Sequence, residues 1–254
     1  MTKVILSGCC GKMGAAVTNA IKGRDDIQIV AGVDVMECVT LPYPVFPVFS
    51  ELPFNADVII DFSNPSALHG LLEYSVKNSI PAVLCATGYS AEQIKAIETA
   101  SETVAMFRSG NMSLGINLLS ELAKAAAKVL GQSFDVEIVE AHHNLKLDAP
   151  SGTALMLEKA VEEGLDYSPE LIYDRHSRSQ KRDKHEIGMH AIRGGTIVGE
   201  HEIIFAGNDE VVKISHQALS KNIFAVGAVN AAIFMKDKAN GMYDMSDVIK
   251  AQNR

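Results

Sequence analysis

The stretch Thr2-Lys-Val-Ile-Leu-Ser-Gly-Cys-Cys-Gly-Lys-Met-Gly14 joins a short apolar run to a glycine-rich loop, and a helical pattern follows it. Residues 4–7 predict a β-strand and residues 12–22 an α-helix. Glycines at such a turn permit a tight bend and let the backbone approach a pyrophosphate, which the N–H groups and the dipole of a helix start would bind. The spacing is Gly-x-x-Gly-x-x-Gly rather than the commoner Gly-x-Gly-x-x-Gly, so a purely structural turn is the alternative.

Strands and helices alternate through the first hundred residues. The apolar runs predict further strands at 27–33, 57–62, 82–86 and 103–107, and helices at 65–77 and 90–100. Because the strands lack an alternation of polar and apolar residues, they indicate a parallel sheet buried on both faces. This part of the chain is therefore predicted to be a doubly wound, Rossmann-type α/β domain.

The pattern changes after about residue 112. A helix at 114–130, a strand at 135–141, a polar loop at 142–150 and a helix at 151–163 precede strand candidates at 187–192, 197–206 and 210–218, with helices at 224–235 and 246–251. The turns at 193–195 and 207–209 are typical of hairpins, which predicts an α+β domain with a mixed, largely antiparallel sheet. The charged residues 173–186 predict a mobile surface loop, with a cover over the site as the alternative.

Composition narrows the classes of function. The chain has 254 residues, 47% of them hydrophobic and 21% charged, which is enough for a large packed core. Its formal net charge of −8 argues against binding nucleic acid, which needs a concentrated basic surface. The N-terminus does not resemble a signal peptide, and no apolar run approaches the ~18 residues of a membrane span. We therefore expect a cytoplasmic protein with neither a membrane nor a nucleic-acid partner.

The four cysteines stand at spacings that fit neither a zinc site nor a small disulfide scaffold. They are Cys9, Cys10, Cys38 and Cys85. They predict free thiols in a reducing compartment, and no metal site.

Asp34 ends the second predicted strand, 20 residues beyond Gly14. A carboxylate at this position accepts hydrogen bonds from the ribose hydroxyls of a dinucleotide and repels the 2′-phosphate of NADP. Val35 and Met36 follow it and offer no cation to neutralise that phosphate. The sequence thus predicts a preference for NADH over NADPH. Without the glycine loop, a turn residue would be the better interpretation of Asp34.

The segment Glu140-Ala-His-His-Asn-Leu-Lys-Leu-Asp-Ala-Pro-Ser-Gly-Thr-Ala154 gathers positive charge in an acidic protein. His142, His143 and Lys146 precede a helix start at which Gly152 and Thr153 offer N–H groups and a hydroxyl. A small dicarboxylate would bind between this helix start and the cations. Histidine as a residue type is suited to proton transfer near neutrality, and an amine beside other cations donates its proton more readily, so His142 and Lys146 are both candidates for proton transfer.

Two adjacent histidines are also typical of a surface or metal-binding pair. However, adjacent side chains leaving a strand point in opposite directions, so His142 and His143 are poorly placed to chelate one metal. Asp148 is predicted to hold the loop or to pair with Lys146.

The two motifs, Gly8-x-x-Gly-Lys-Met-Gly14 and Glu140–Ala154, resemble those of the dihydrodipicolinate reductase family. The second motif is long and highly specific. Further matches extend the resemblance over essentially the whole chain; they are Cys85-Ala-Thr-Gly88, Gly110-Asn-Met-Ser113, Gly115, Asn117, Arg193-x-Gly195, Gly199-x-His201 and Phe224-Ala-x-Gly-Ala228.

The resemblance implies reduction of 4-hydroxy-tetrahydrodipicolinate to tetrahydrodipicolinate by NADH or NADPH in lysine and diaminopimelate biosynthesis. It implies catalytic roles for His142 and Lys146, and substrate binding by His143, Gly152 and Thr153. The cofactor-binding residues that it implies are Gly8, Cys9, Cys10, Gly11, Lys12, Met13, Asp34, Cys85, Ala86, Thr87, Ser109, Gly110, Asn111 and Met112.

The chain departs from the family's pattern at three points. Cys85-Ala86 stands where the family usually has Gly-Thr, and Met112 stands where it often has Phe. The basic residue that commonly follows the ribose-binding acid is missing. These departures concern the nicotinamide pocket and the use of NADPH, not the reaction.

The resemblance also implies two domains. A dinucleotide-binding domain would comprise residues 1–112 and 222–254. A substrate-binding domain, residues 113–221, would use its sheet to form a homotetramer.

Two other functions stay open. A different nicotinamide-dependent oxidoreductase, such as an amino-acid or aldehyde dehydrogenase, would explain residues 8–14 and Asp34 but not 140–154. A non-catalytic dinucleotide-binding sensor would need no proton donor.

Overall fold

A computed structural model describes residues 1–36, 41–53 and 55–252. Cys38 lies outside the described residues. The chain divides into two compact units, one made of Met1–Ser113 with Asn222–Arg254 and the other of Leu114–Lys221. Each unit is described by itself below.

Twelve strands and seven α-helices are found in the described ranges. In chain order they are β1 (Thr2–Ser7), α1 (Lys12–Ile21), β2 (Ile27–Val33), β3 (Val45–Phe46), β4 (Val58–Asp61), α2 (Leu68–Asn78), β5 (Ala82–Leu84), α3 (Ala91–Ser101), β6 (Ala105–Arg108), α4 (Leu114–Leu130), β7 (Asp135–His142), α5 (Gly152–Glu162), β8 (Glu170–Ile172), β9 (Glu186–Arg193), β10 (Gly199–Ala206), β11 (Val211–Ala218), α6 (Asn222–Met235), β12 (Gly241–Tyr243) and α7 (Met245–Gln252). None of these helices combines the length and apolarity that crossing a membrane requires.

The first unit contains a seven-stranded parallel sheet in the order β12-β6-β5-β4-β1-β2-β3. Helices α2 and α3 pack on one face, in a core that includes Ile5, Ile59, Leu71 and Ile97. Helix α6 packs against α1 and against β4 and β5, and its small residues are buried almost all round. Helices on both faces of a parallel sheet confirm the predicted doubly wound α/β fold.

Local signals in the sequence set several helix starts. Asn64 accepts a hydrogen bond from the Ser66 N–H at 3.0 Å ahead of Pro65, and Ser90 with Gln93 forms the reciprocal capping box. The edge strands β3 and β12 were not predicted, because two or three residues are too few to show a period.

The second unit contains a five-stranded sheet in the order β11-β10-β7-β9-β8. Strand β10 is antiparallel to β11 and to β7, whereas β9 is parallel to β7 and to β8, which confirms a mixed sheet. The expectation that this sheet is largely antiparallel is wrong, because β9 crosses over to pair in parallel with β7 and β8. The predicted hairpin at 207–209 is also confirmed, since the Gly207 N–H donates to the Glu210 carbonyl oxygen at 2.9 Å. The hairpin predicted at 193–195 is wrong. Strands β9 and β10 do not pair with each other, because β7 lies between them and pairs with both.

One face of this sheet packs on α4 and α5, in a core that includes Ile138, Leu157, Ile203 and Phe205. The opposite face, called here the open face, carries alternate residues of the same strands. It includes Val139, which opposes Glu202 of β10, and the half-exposed Ile192 of β9. Alternation along each strand therefore separates a helix-covered face from the open face.

The charged residues 173–186 are attached to the open face by ion pairs. Arg175 contacts Glu137 and Glu186, each at 2.7 Å, and Arg182 contacts Asp135 at 2.9 Å. The expectation of a mobile surface loop is therefore corrected. The sequence did not reveal these ion pairs, because Asp135 and Glu137 lie in β7, far from this segment along the chain, and point away from the core.

Candidate active site

The glycine loop forms a tight turn at the carboxyl end of β1. Gly8 has φ +77°, and an added Cβ would lie 2.7 Å from the backbone carbonyl carbon of Phe62. The Gly11 N–H donates to the Gly8 carbonyl oxygen at 3.2 Å, and Gly11 is the N-cap of α1. Among the described residues, no side chain caps this helix start. The loop lies where the strand order reverses between β2 and β4, the point at which doubly wound sheets bind ligands.

Asp34 ties the loop to the end of β2. Its Oδ2 accepts from the Cys10 N–H at 2.9 Å and its Oδ1 from the Met36 N–H at 3.0 Å. Each carboxylate oxygen keeps a second lone pair with which a ribose hydroxyl can bond. Asp34 therefore orders the glycine loop in addition to its predicted contact with ribose.

Three groups that could hold a metal stand together here, since ligand atoms of Cys9, Cys10 and Asp34 lie within 4.8 Å of one another. Cys10 is disulfide-bonded, whereas Cys9 and Cys85 keep reduced thiols. The expectation that all the cysteines are free is thus wrong for Cys10. The disulfide also removes one of the three donor atoms from this group.

A cavity of about 590 Å³ opens beside the glycine loop, and its wall is mainly apolar. Of the predicted cofactor residues, Gly8, Gly11 and Asp34 line it. The remaining lining residues were not predicted; they are Ser7, Val33, Val35, Met36, Pro47, Val48, Phe49, Phe62, Ser63, Asn64, Ser66, Ala67, His69 and Gly70. Residues 62–64 could have been found from the sequence, because they follow the carboxyl end of a central strand.

Two further predicted segments follow the neighbouring strands of the sheet. Residues 85–87 come directly after β5, where the Cys85 N–H donates to the Asp61 carbonyl oxygen at 2.9 Å. Residues 109–112 come directly after β6, where the Ser109 hydroxyl donates to the Asn111 carbonyl oxygen at 2.9 Å. Neither segment lines the cavity beside Gly8. Both stand at the carboxyl edge of the sheet, as the glycine loop does.

In the second unit, the polar segment begins with a buried cluster at the end of β7. The Nδ1 of His142 lies 2.6 Å from Glu140 Oε2, and the Glu140 side chain is 0% exposed. Arg193 of β9 forms two hydrogen bonds with the same carboxylate, at 2.7 and 2.8 Å. Burial alone would raise the pKa of Glu140, but hydrogen bonds from Arg193, His142 and the Ser151 N–H outweigh it and hold that pKa below its usual value.

Lys146 and the start of α5 share one carboxylate. The Lys146 ammonium lies 2.9 Å from Asp148 Oδ1, which confirms the predicted pairing, and the Gly152 N–H also bonds to Asp148. The lysine, and then this backbone N–H, hold the pKa of Asp148 below its usual value. Asp148 is exposed, so Lys146 and the helix start can bind a carboxylate that approaches from solvent.

Ser151 is the N-cap of α5 and links this helix to two buried side chains, those of Glu140 and His201. Its Oγ accepts from the Ala154 N–H at 3.1 Å, and its N–H donates to Glu140 Oε1 at 3.0 Å. The same Oγ lies 3.1 Å from Nε2 of His201, which is buried on β10. Burial and the neighbouring His142 lower the pKa of His201 to about 4.

This lowered pKa predicts a loss of stability in acid. Between the ordinary value of 6.5 and about 4, the unfolded chain binds a proton at His201 that the folded chain does not bind. The free energy of unfolding should therefore fall by up to about 3 kcal/mol as the pH decreases through this window. Urea unfolding of the His201→Gln variant should show a correspondingly flatter dependence on pH. The fully exposed His176 supplies a control, since His176→Gln should keep the wild-type slope.

Comparison with known proteins gives the family. A family model described as the N-terminus of dihydrodipicolinate reductase matches residues 2–112, and the model of its C-terminus matches residues 115–249. The chain belongs to the dihydrodipicolinate reductase family. Members of this family are pyridine-nucleotide-dependent oxidoreductases, so the chain is an enzyme of that class.

Relatives named 4-hydroxy-tetrahydrodipicolinate reductase match the chain over nearly its whole length. A 4-hydroxy-tetrahydrodipicolinate reductase of Clostridium novyi is 48% identical over 254 residues and is covered completely, as is this chain. One from Caldanaerobacter subterraneus is 48% identical and covers 98% of this chain and 99% of its own. A dipicolinate-bound dihydrodipicolinate reductase from Paenisporosarcina sp. TG-14 has the same fold, with a TM-score of 0.79, 22% identity and coverage of 96% and 97%.

Three residues of the site were not predicted to contribute to it, namely the buried Glu140 and His201 and the partly buried Arg193. The sequence prediction included each of them only within a longer motif and gave none of them a role of its own. Their partners lie far along the chain, as Arg193 does from Glu140 and His201 from Ser151. A basic residue at the end of β9 was the available signal, because a buried carboxylate requires a cationic partner.

Proposed function

We propose that this chain reduces 4-hydroxy-tetrahydrodipicolinate to tetrahydrodipicolinate with a reduced nicotinamide coenzyme, in lysine and diaminopimelate biosynthesis. The observation that carries the proposal is the ordered polar segment between β7 and α5. There a buried Glu140–His142 pair at the end of β7 leads into the short loop that carries Lys146, and this loop ends at an N-capped helix start. The proposal agrees with the name of the Clostridium novyi relative and with the ligand of the Paenisporosarcina structure.

The carboxylate of Asp148 indicates how the substrate would bind. It contacts the Lys146 ammonium and the Gly152 N–H, which are two of the groups predicted to hold a substrate carboxylate. We propose that one carboxylate of the ring takes this position, with His143 and Thr153 as further contacts. The dicarboxylate is then oriented by charge and by the dipole of α5.

We propose that His142 and Lys146 handle the protons of the reaction. Lys146 can donate a proton because its ammonium is partly exposed, with 21% of the side chain accessible, and lies on the loop that would hold the substrate. His142 is buried and is held at Nδ1, so its Nε2 is the atom at which a proton can be exchanged. The nicotinamide, when bound, supplies the hydride that adds to C4 of the ring after the 4-hydroxyl has left.

The coenzyme would bind to the first unit through the predicted residues. Gly8–Met13 would hold the pyrophosphate and Asp34 the adenosine ribose, while residues 85–87 and 109–112 would line the nicotinamide. The apolar wall formed by Val35, Met36 and Pro47 in the cavity beside Gly8 would suit an adenine ring. Two features support binding of the coenzyme here: the helix start at Gly11, which no side chain of the described residues caps, and the cavity beside it.

We predict a preference for NADH over NADPH. The carboxylate of Asp34 would repel a 2′-phosphate, and the next two residues, Val35 and Met36, carry no charge. The ratio of kcat/KM with the two coenzymes measures this preference. Asp34→Asn should shift the ratio toward NADPH because it removes the charge. A wild-type kcat/KM that is tenfold higher with NADPH would contradict this role of Asp34.

We further propose that the two units are a dinucleotide-binding domain and a substrate-binding domain, and that the second unit forms a homotetramer through its open face. Exposed or partly exposed apolar residues on that face, including Val139, Ile192 and Val211, support the second point. A reductase that consumes a nicotinamide coenzyme belongs in the cytoplasm, where that coenzyme is regenerated. Analytical ultracentrifugation of wild type and of Ile192→Lys tests the assembly.

One assay tests the reaction. A dihydrodipicolinate synthase generates the unstable substrate in the cuvette, and the decrease in NADH absorbance is followed after the purified chain is added. Oxidation that depends on both the synthase and this chain supports the proposal. NADH that stays unoxidised while the synthase is active would refute it, and would leave a dinucleotide-binding sensor or another oxidoreductase.

A further inference from the structure

The carboxylate of Glu140 receives four hydrogen-bond contacts, although none of it is exposed to solvent. Its Oε1 contacts the Ser151 N–H at 3.0 Å and Arg193 Nη2 at 2.7 Å. Its Oε2 contacts Arg193 Nη1 at 2.8 Å and His142 Nδ1 at 2.6 Å. A carboxylate has about four lone-pair directions, so this one is saturated.

Because every lone pair of the Glu140 carboxylate is engaged, the donor and the acceptor of each hydrogen bond can be assigned. The Ser151 N–H and the two guanidinium nitrogens can only donate, so Glu140 accepts from them as an ionised carboxylate. An ionised carboxylate has no proton to give, and therefore His142 must donate from Nδ1. A neutral imidazole with its proton on Nδ1 has an unprotonated Nε2, which can accept a proton.

The surroundings of Nε2 are consistent with this arrangement. A Cβ added at Gly199 would lie 3.0 Å from His142 Nε2, so the glycine leaves that side of the ring uncovered. The ring of His201 meets His142 at 75°, with 5.2 Å between ring centroids, and its own Nε2 is engaged with Ser151. The contact with the His201 ring restricts rotation of the His142 ring.

We propose that Glu140, held by Arg193, is a positioning residue that fixes His142 in the Nδ1–H tautomer and so reserves Nε2 for proton exchange. Arg193 adds a second constraint because it also donates to the Asp148 carbonyl oxygen at 2.6 Å, which connects the carboxylate to the loop that carries Lys146. The catalytic part of this inference rests on the proposed function. The tautomer itself does not, since it is a property of the free protein.

Glu140→Gln provides the critical variant, because a glutamine nearly matches the shape of glutamate. The Ser151 N–H requires an acceptor at the position of Oε1, so the glutamine amide nitrogen would occupy the position of Oε2. That NH₂ group leaves Arg193 Nη1 without its acceptor at this position. It donates to His142 Nδ1, which must then accept, and the proton moves to Nε2. We expect the Nε2–H tautomer in this variant and a decrease in kcat of about 10²–10³-fold, with an almost unchanged KM for NADH.

Two-dimensional ¹H–¹⁵N spectra of ¹⁵N-histidine-labelled protein distinguish the two tautomers, at a pH where the ring is neutral. The His142 signals are assigned by their loss in His142→Asn. The wild type should show the proton on Nδ1. A wild-type spectrum with the proton on Nε2 would overturn the proposal, and this test holds even if Glu140→Gln does not fold or the coupled assay shows no reduction.

Glu137 supplies a matched control on the other face of the same strand. It also contacts a histidine, His190 Nε2 at 2.7 Å, and Arg175 at 2.7 Å. Glu137→Gln should leave the His142 signals in their wild-type positions, so a change confined to Glu140→Gln reports the local bond rather than the loss of a charge. Folded Glu140→Gln protein that keeps the wild-type tautomer, or a near wild-type kcat, would refute the role of Glu140.

Discussion

Replacing Lys146 with alanine is expected to lower kcat by about 10²–10⁴-fold, the range that a positioned proton donor contributes. The ammonium stands on the loop that would hold the substrate, with Asp148 as its partner at 2.9 Å. The KM for substrate should also increase, because one contact to the substrate carboxylate is lost. NADH binding should hardly change, since every residue proposed to hold the coenzyme belongs to the first unit.

The measurement is a steady-state analysis with the synthase-coupled assay, together with NADH binding followed by fluorescence. Lys124→Ala is a suitable control because Lys124 lies in the same unit and forms an exposed pair with Glu163 at 2.7 Å. That variant should retain the wild-type kcat. Near-normal turnover of Lys146→Ala would exclude Lys146 from the proton transfer and leave His142 as the remaining candidate.

The fold of the first unit could be predicted from the sequence because its signals are local. Buried strands such as β5 form uninterrupted apolar runs, and Asn64 and Ser90 carry the side chains that start helices. The topology of the second sheet could not be predicted in the same way. The turn at 193–195 resembles a hairpin turn, yet β7 pairs between β9 and β10. Pairing between strands that are distant in sequence is set by burial, which a local pattern does not record.

The candidate site, like the fold, could be predicted where its residues are close together in the sequence and not where they are distant. The loop at 142–150 was recognised as a candidate because its cations stand close together in the sequence, just ahead of Gly152. Glu140 was passed over because one acidic residue in a strand resembles an ordinary outward-facing position. It is buried only because Arg193, 53 residues later, ends the neighbouring strand at the register position opposite His142. Such a charge pair requires the fold before it can be recognised.

Arg193→Met is expected to reduce the free energy of unfolding by about 3–5 kcal/mol at neutral pH, the usual cost of removing one partner from a buried ion pair. Methionine has a similar length and keeps the packing, but it leaves the fully buried Glu140 without its two guanidinium bonds. By comparison, Arg24→Met removes an exposed pair with Asp26 and should destabilise the fold far less, because solvent screens such a pair. Urea unfolding of both variants gives this difference.

The pH dependence identifies the cause. In the wild type the pKa of Glu140 is lowered, so its stabilising contribution is present above the pKa of the unfolded chain and is lost as the pH falls through the folded value. In Arg193→Met, burial without the guanidinium should raise that pKa above the unfolded value, so the variant gains relative stability as acid protonates Glu140. The gap between wild type and variant should therefore narrow from pH 7 toward pH 4. A gap that stays constant across this range would mean that Arg193 stabilises the fold through packing rather than through the charge on Glu140.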